Sequence, residues 1–240
     1  MDEANINELI RDNKVLLVEE IIKNDAKVIF KPDDDGRYPL HWAVSSNNPQ
    51  IVDIILRVPD IDIDEMIDNS GWLPLHIASS IGNMIIFDKL VNLPIKPDIN
   101  LTTNQGTNCL LLSISKNHYN IVSRLIVDLK ANIRAKDNFG RSGLHRASAI
   151  GSLPICKLLV ESGKVNINGK DNQGWTCLHY AMAEGHPEVA IYLIEHDADV
   201  TIVSDDGETP EQVANKLIVE AVSDYFQKNP PKQLTSHEHQ

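Results

Sequence analysis

The sequence predicts an all-α solenoid of stacked helix–turn–helix repeats joined by β-turn fingers. Three observations carry this. Six glycines (Gly36, Gly71, Gly106, Gly140, Gly174 and Gly207) are spaced 35, 35, 34, 34 and 33 residues apart. The segments around them are alike: DDDGRYPLHWA, DNSGWLPLHIA, TNQGTNCLLLS, DNFGRSGLHRA, DNQGWTCLHYA and SDDGETPEQVA. Four carry Leu-His and five carry Ala at fixed offsets. A fixed period of this length is the mark of a repeat array.

Each element follows from local chemistry. Asp or Asn followed by Gly makes a turn, with Gly supplying the positive φ. The first helix starts at Pro39, Pro74 and Pro210, where a missing N–H costs nothing. Cys109, Gly143 and Cys177 replace the proline in the middle units, so those helices are expected to be less well pre-set. The second helix carries apolar pairs at i, i+1, i+4 and i+5: Ile51, Val52, Ile55, Leu56, then Ile86, Phe87, Leu90, Val91, then Ile121, Val122, Leu125, Ile126. The series continues with Ile155, Cys156, Leu159, Val160 and with Val189, Ala190, Leu193, Ile194. Such a stripe must be buried against a neighbouring unit.

The ends read as caps. Residues 5–29 lack the turn segment, but Leu17, Val18, Ile21 and Ile22 repeat the stripe one period before Ile51. Residues 203–226 form a last unit, with Glu211-Gln212 where Leu-His would sit. Seven repeats result, at about 1–32, 33–67, 68–102, 103–136, 137–170, 171–203 and 204–228. They are expected to form one domain, 1–228, and the polar stretch 229–240, with Pro230-Pro231, a disordered tail.

Composition narrows the function. The chain has 240 residues and a formal charge of −12, which argues against a nucleic-acid backbone as partner. Apolar residues make up 42%, enough for a large core. The start, MDEANINELIRDNK, has neither the basic nor the apolar region of a secretory signal, and no apolar run reaches a membrane-spanning length. With three cysteines and no disulfide framework, the chain is expected to be soluble, cytoplasmic and nuclear.

No catalytic or metal-binding pattern emerges. His41, His76, His145 and His179 share one repeat position and read as structural. The chain has no HExxH, no paired CxxC, no GxSxG, no Walker loop and no GxGxxG. His237 and His239 lack further fixed ligands nearby. Cys109 and Cys177 lie two repeats apart, too far for a disulfide, and Cys156 falls in a buried stripe. The expectation is a protein that is not an enzyme, without metal or cofactor.

The units resemble ankyrin repeats, whose T-P-L-H-x-A core has this period. That resemblance implies a concave face that binds proteins, and positions left open on it. These are Asp34, Asp35, Arg37, Trp42 and Ser46 in unit two, and Asn69, Ser70, Trp72, Ile77 and Ile81 in unit three. Unit four gives Gln105, Thr107 and Lys116, and unit five gives Asn138, Phe139, Arg141, Arg146 and Ile150. Unit six gives Gln173, Trp175, Tyr180 and Glu184, and unit seven gives Asp205, Asp206, Glu208 and Lys216. All three tryptophans fall in this set, and Trp, Tyr and Arg are the usual interface anchors. Lys116, Arg141 and Arg146 form a basic centre in chain order, with acidic residues before and after. A partner with an acidic patch meeting that centre fits.

Order-specific details narrow the resemblance: Arg-x-x-Leu-His-Trp in unit two, Gly-Trp-x-Pro-Leu-His-Ile-Ala in unit three, Ser-Lys-Asn in unit four and Leu-His-Arg-Ala in unit five. These look like the gankyrin family, the ankyrin-repeat assembly chaperones of the 26S proteasome regulatory particle. The resemblance implies that the concave face holds the C-terminal domain of one ATPase subunit of the base. The bound protein then hinders premature docking on the core particle. Arg37 and Lys116 match positions that contact acidic residues of that domain. A capped array with this net charge is expected to be a monomer when free, and neither a nucleic-acid nor a membrane partner is expected. A kinase inhibitor, a transcription-factor mask, or an enzyme's regulatory subunit are the alternatives.

Overall fold

A computed structural model describes residues 5–229 of the chain. The predicted tail, with His237 and His239, lies outside these residues apart from Asn229. By its contacts the chain divides into two compact units, 5–138 and 139–229 among the described residues.

The first unit contains four helix pairs. They are α1 (Ile6–Arg11) with α2 (Val15–Asn24), α3 (Pro39–Ser45) with α4 (Pro49–Leu56), α5 (Pro74–Ile81) with α6 (Met84–Val91), and α7 (Cys109–Ser115) with α8 (Tyr119–Ser123). A 3-10 turn, Ala26–Phe30, follows α2, and a π turn, Arg124–Asp128, prolongs α8. First helices pack on first helices (α1, α3, α5, α7) and second on second (α2, α4, α6, α8). The second unit repeats this with α9 (Gly143–Ala149), α10 (Leu153–Glu161), α11 (Cys177–Ala183), α12 (Pro187–Glu195) and α13 (Lys216–Lys228).

The apolar stripes form the core. Ile51, Val52, Ile55, Ile86, Phe87, Leu90, Ile121, Val122 and Leu125 are buried in the first unit, and Ile155, Cys156, Leu159, Val189, Ala190 and Leu193 in the second. The N-terminal cap departs from the pattern. Val18 and Ile22 are buried, but Leu17 is 47% exposed.

The middle first helices are as well formed as the proline-led ones. α7, α9 and α11 each have seven residues, the length of α3. In α7 and α11 a side-chain cap does what proline does elsewhere. Asn108 Oδ1 accepts from the Leu111 amide at 3.0 Å, and Thr176 Oγ1 from the His179 amide at 3.4 Å. Tyr38 and Leu73, which precede the prolines, make no such bond.

The seventh repeat differs in its first helix, which is only a turn across Pro210–Ala214. In the preceding unit the second helix starts thirteen residues after Gly174. Here α13 starts nine after Gly207, and the missing turn of helix is that difference. Gln212 Oε1 still accepts the Thr209 amide at 2.8 Å, the bond the histidines make at this position.

Neighbouring fingers are tied tip to tip. The Asn69 amide donates to Asp35 O at 3.0 Å, Asn104 to Ser70 O at 3.1 Å, and Asn138 to Gln105 O at 3.1 Å. In the second unit Asn172 donates to Phe139 O and Asp205 to Gln173 O, both at 3.0 Å. This contact requires glycine on the other side. Gly71 has φ +78°, and a Cβ there would stand 2.5 Å from Asn104 Oδ1 and 2.7 Å from its backbone N. Gly71→Ala should therefore cost about 2 kcal/mol or more, from the left-handed backbone and the clash together. The check is the midpoint of urea unfolding, which should fall clearly.

Candidate protein-binding surface

Each finger is held by one short polar side chain at its start. Asp33 Oδ1 accepts from the amides of Asp35 (3.1 Å) and Arg37 (2.8 Å). Asp68 Oδ1 does the same for Ser70 (2.9 Å) and Trp72 (2.8 Å), and Asp171 Oδ1 for Gln173 and Trp175 (both 2.9 Å). Thr103 and Ser204 use a hydroxyl instead. The carboxylates have a second oxygen to spare, and surface residues bind to it. Trp42 Nε1 donates to Asp33 Oδ2 at 2.8 Å, the Tyr180 hydroxyl donates to Asp171 Oδ2 at 2.8 Å, and Arg37 Nε lies 3.6 Å from Asp68 Oδ2. Burial works the other way, but the Trp42 indole, two backbone amides and Arg37 together hold Asp33 below its ordinary pKa.

The four repeat histidines clamp one finger to the next. Their Nδ1 atoms accept backbone amides of Tyr38, Leu73, Ser142 and Thr176 at 3.1–3.2 Å. Their Nε2–H groups donate to the carbonyls of Trp72, Leu101, Trp175 and Glu208 at 2.8–3.1 Å. These bonds fix the neutral Nε2–H tautomer, because Nδ1 faces a donor and Nε2 an acceptor. The sequence reading missed a second set. His118 Nε2 donates to Ser80 O at 2.9 Å and His186 Nε2 to Ala149 O at 3.0 Å, each reaching the end of the preceding first helix. The signal was their shared place just before the second helix.

On the first unit, Asp34, Asp35, Asn69 and Lys116 are exposed, as expected for open positions. Arg37, Ser46, Trp72, Ile77 and Ile81 are half-buried. Trp42 is also half-buried, with the Arg11 and Arg37 guanidinium carbons each 5.2 Å from its ring centre. On the second unit, Phe139 is 58% exposed, with the Arg141 guanidinium 4.8 Å from its ring centre. Ile150, Glu184, Asp205, Asp206 and Glu208 are exposed, while Arg141, Arg146, Trp175 and Tyr180 are half-buried. Trp175 and Tyr180 pack edge to face at 5.1 Å.

The surface departs from expectation at Thr107 and at the aromatic residues. Thr107 is buried at 5% exposure, not open. Its backbone closes the finger against Thr103, and its short side chain ends inside, where Arg37 and Trp72 at the same position reach out. The aromatics are also less open than the pattern implied. The polar atoms of Trp42 and Tyr180 are already bonded to turn carboxylates, which leaves their ring faces as the open part of each side chain.

The three cysteines are free and buried. Burial pushes the Cys109 and Cys156 thiols up to about 12 and raises Cys177 further. A thiol reagent at pH 8 should leave all three unmodified in the folded protein and react with all three in denaturant. Fast labelling of the native chain would contradict this burial. Among the described residues no group of three or more His, Cys, Asp or Glu could hold a metal ion, and no helix is long and apolar enough to cross a membrane.

The ankyrin-repeat family (three copies) matches residues 7–103 and 110–204. A curated protein from Saccharomyces cerevisiae, described as a probable 26S proteasome regulatory subunit p28, is 37% identical over 226 residues. The match spans 93% of this chain and 97% of the yeast protein. The chain belongs to the ankyrin-repeat family and, within it, to the p28 (gankyrin) group. An ankyrin repeat-containing protein of Schizosaccharomyces pombe, C6C3.08, is 37% identical over 122 residues, half of each chain. Among solved structures, the ankyrin repeat domain of Bcl-3 superposes with a TM-score of 0.73. It is 20% identical and covers 92% of this chain and 99% of its own, so it supports the ankyrin fold alone.

Proposed function

We propose that the protein is a non-catalytic assembly chaperone of the proteasome regulatory particle. It binds the C-terminal domain of one ATPase subunit of the base and hinders premature docking on the core particle. The observation that carries this reading is the 37% identity to the yeast p28 subunit, extended over nearly the whole of both chains. The exposed chemistry supports it. Finger tips and first-helix ends present Asp34, Asp35, Asn69 and Lys116 on one unit, and Phe139, Ile150, Glu184, Asp205, Asp206 and Glu208 on the other. Half-buried Arg37, Trp42, Ser46, Trp72, Ile77, Ile81, Arg141, Arg146, Trp175 and Tyr180 provide ring faces, apolar area and cationic edges between them. Aromatic anchors ringed by charge are what protein interfaces use.

The same reading carries with it a monomer in the free state and a cytoplasmic and nuclear location. The test is titration of the purified chain against the isolated C-terminal domain of each proteasomal ATPase subunit, at two salt concentrations. Tight binding to one subunit, weakened by salt, is expected. Absence of binding to every subunit would overturn the proposal and leave the ankyrin fold in place.

A further inference from the structure

The shortened seventh repeat leaves a gap at the C-terminal end of the second unit. In the unit before it, α9 packs along one flank of α11. On the other flank, where a further first helix would lie, stands the turn Pro210–Ala214, with no further helix among the described residues. An open cleft of ≈ 320 Å³ results, with Leu178, Met182, Ile194, Val200, Val222 and Phe226 in its lining. Val200 is 48% exposed. The floor of the cleft is apolar and its rim is charged.

The charge around the cleft says what would bind. Residues 195–229 hold nine carboxylates and two lysines, a net −7 out of −12 for the whole chain. Glu211 and Ser223 lie on the cleft itself, and Glu220 and Asp224 are exposed on the same helix, α13. Lys216 is committed to Glu220 at 3.4 Å. A second copy of this chain, itself at −12, would meet like charge here.

We propose that this cleft docks a short amphipathic helix of a partner protein, apolar on one face and rich in Lys and Arg along its flanks. The apolar face would fill the place of the missing first helix. The flanking cations would meet Glu211 and Asp224. This is helix-in-groove recognition with charge setting the orientation. It does not rest on the proteasome reading, and it uses none of the residues on which that reading's charge contacts depend.

The probe is a synthetic Leu/Lys peptide of about 14 residues, or about four turns, with its leucines on one helical face. Two controls accompany it: the same composition scrambled to break the face, and the patterned sequence with Glu for Lys. Titration into the full chain, followed by calorimetry and by methyl NMR, should show binding of the patterned basic peptide alone. The shifts should centre on Met182, Val200 and Val222. Val200→Lys, at a half-exposed site that folding tolerates, should weaken binding by about tenfold or more, and Glu211→Lys by several-fold. Equal binding of the scrambled peptide, or shifts elsewhere, overturns the proposal. So does concentration-dependent self-association through the cleft, or nuclear Overhauser contacts from residues 230–240 to Val200 and Phe226 in the free protein.

Discussion

Lys116→Glu combined with Arg141→Glu should abolish the proposed binding to an ATPase C-terminal domain while leaving the fold intact. Lys116 is exposed just past α7, where it also faces the negative end of that helix. Arg141 is half-buried, its guanidinium held 4.8 Å from the Phe139 ring centre. A cation held over an aromatic face is already ordered, so little side-chain freedom is lost when it meets a carboxylate. Charge reversal then does more than remove an attraction. It sets two carboxylates against an acidic patch, and like-charge juxtaposition costs several kcal/mol, on the order of a thousandfold or more in affinity. Loss of the Arg141–Phe139 contact costs about 0.5–1 kcal/mol of folding stability, and a carboxylate at position 116 a further fraction at the negative end of α7. The measurement is the titration proposed above, paired with a urea unfolding curve of the double variant. Unchanged affinity, with the fold preserved, would remove the basic centre from the interface and with it the electrostatic part of the proposed function.

The array was legible in the sequence because each repeat writes its own constraints. Gly71 and its equivalents are spaced by the finger contacts they permit, and the four histidines recur because each serves two adjacent fingers. The difference in the seventh repeat was also countable, as nine residues from Gly207 to the second helix instead of thirteen. The exposure of the candidate surface was not legible to the same degree. Whether a residue after the turn glycine is open depends on side-chain length, and Thr107 is too short to leave the finger. Trp42 and Tyr180 sit at open positions in the pattern. Each is drawn down by a carboxylate nine residues earlier, whose second oxygen no repeat rule assigns. Cys109 and Cys177 broke a local preference for proline, and the side chains of Asn108 and Thr176 just before those helices made up for it.

The clamp histidines make a second large effect, in stability rather than binding. His76 is fully buried, accepts the Leu73 amide at 3.1 Å and donates to Leu101 O at 2.8 Å. Truncation in His76→Ala strands both partners away from water and opens a cavity, a loss of about 3 kcal/mol or more. His76→Gln should recover part of this, since Gln212 makes the amide-accepting half of the arrangement in the seventh repeat. Acid should act on the same bonds. Burial holds His41, His76 and His179 below the ordinary histidine pKa of 6.5, although each carbonyl contact pulls the other way. As pH falls through 6.5 the unfolded chain takes up protons first and the folded chain does not, so stability is complete above that value and drains below it. Once protonated, Nδ1 would point an N–H at a backbone N–H, and the clamp cannot hold. The urea midpoint should therefore fall between pH 7.5 and pH 5, with a shallower fall in His76→Gln, which has one titrating clamp fewer. A midpoint flat across that range would mean that the folded array accepts the protonated rings, and that the clamps are looser than their bond lengths indicate.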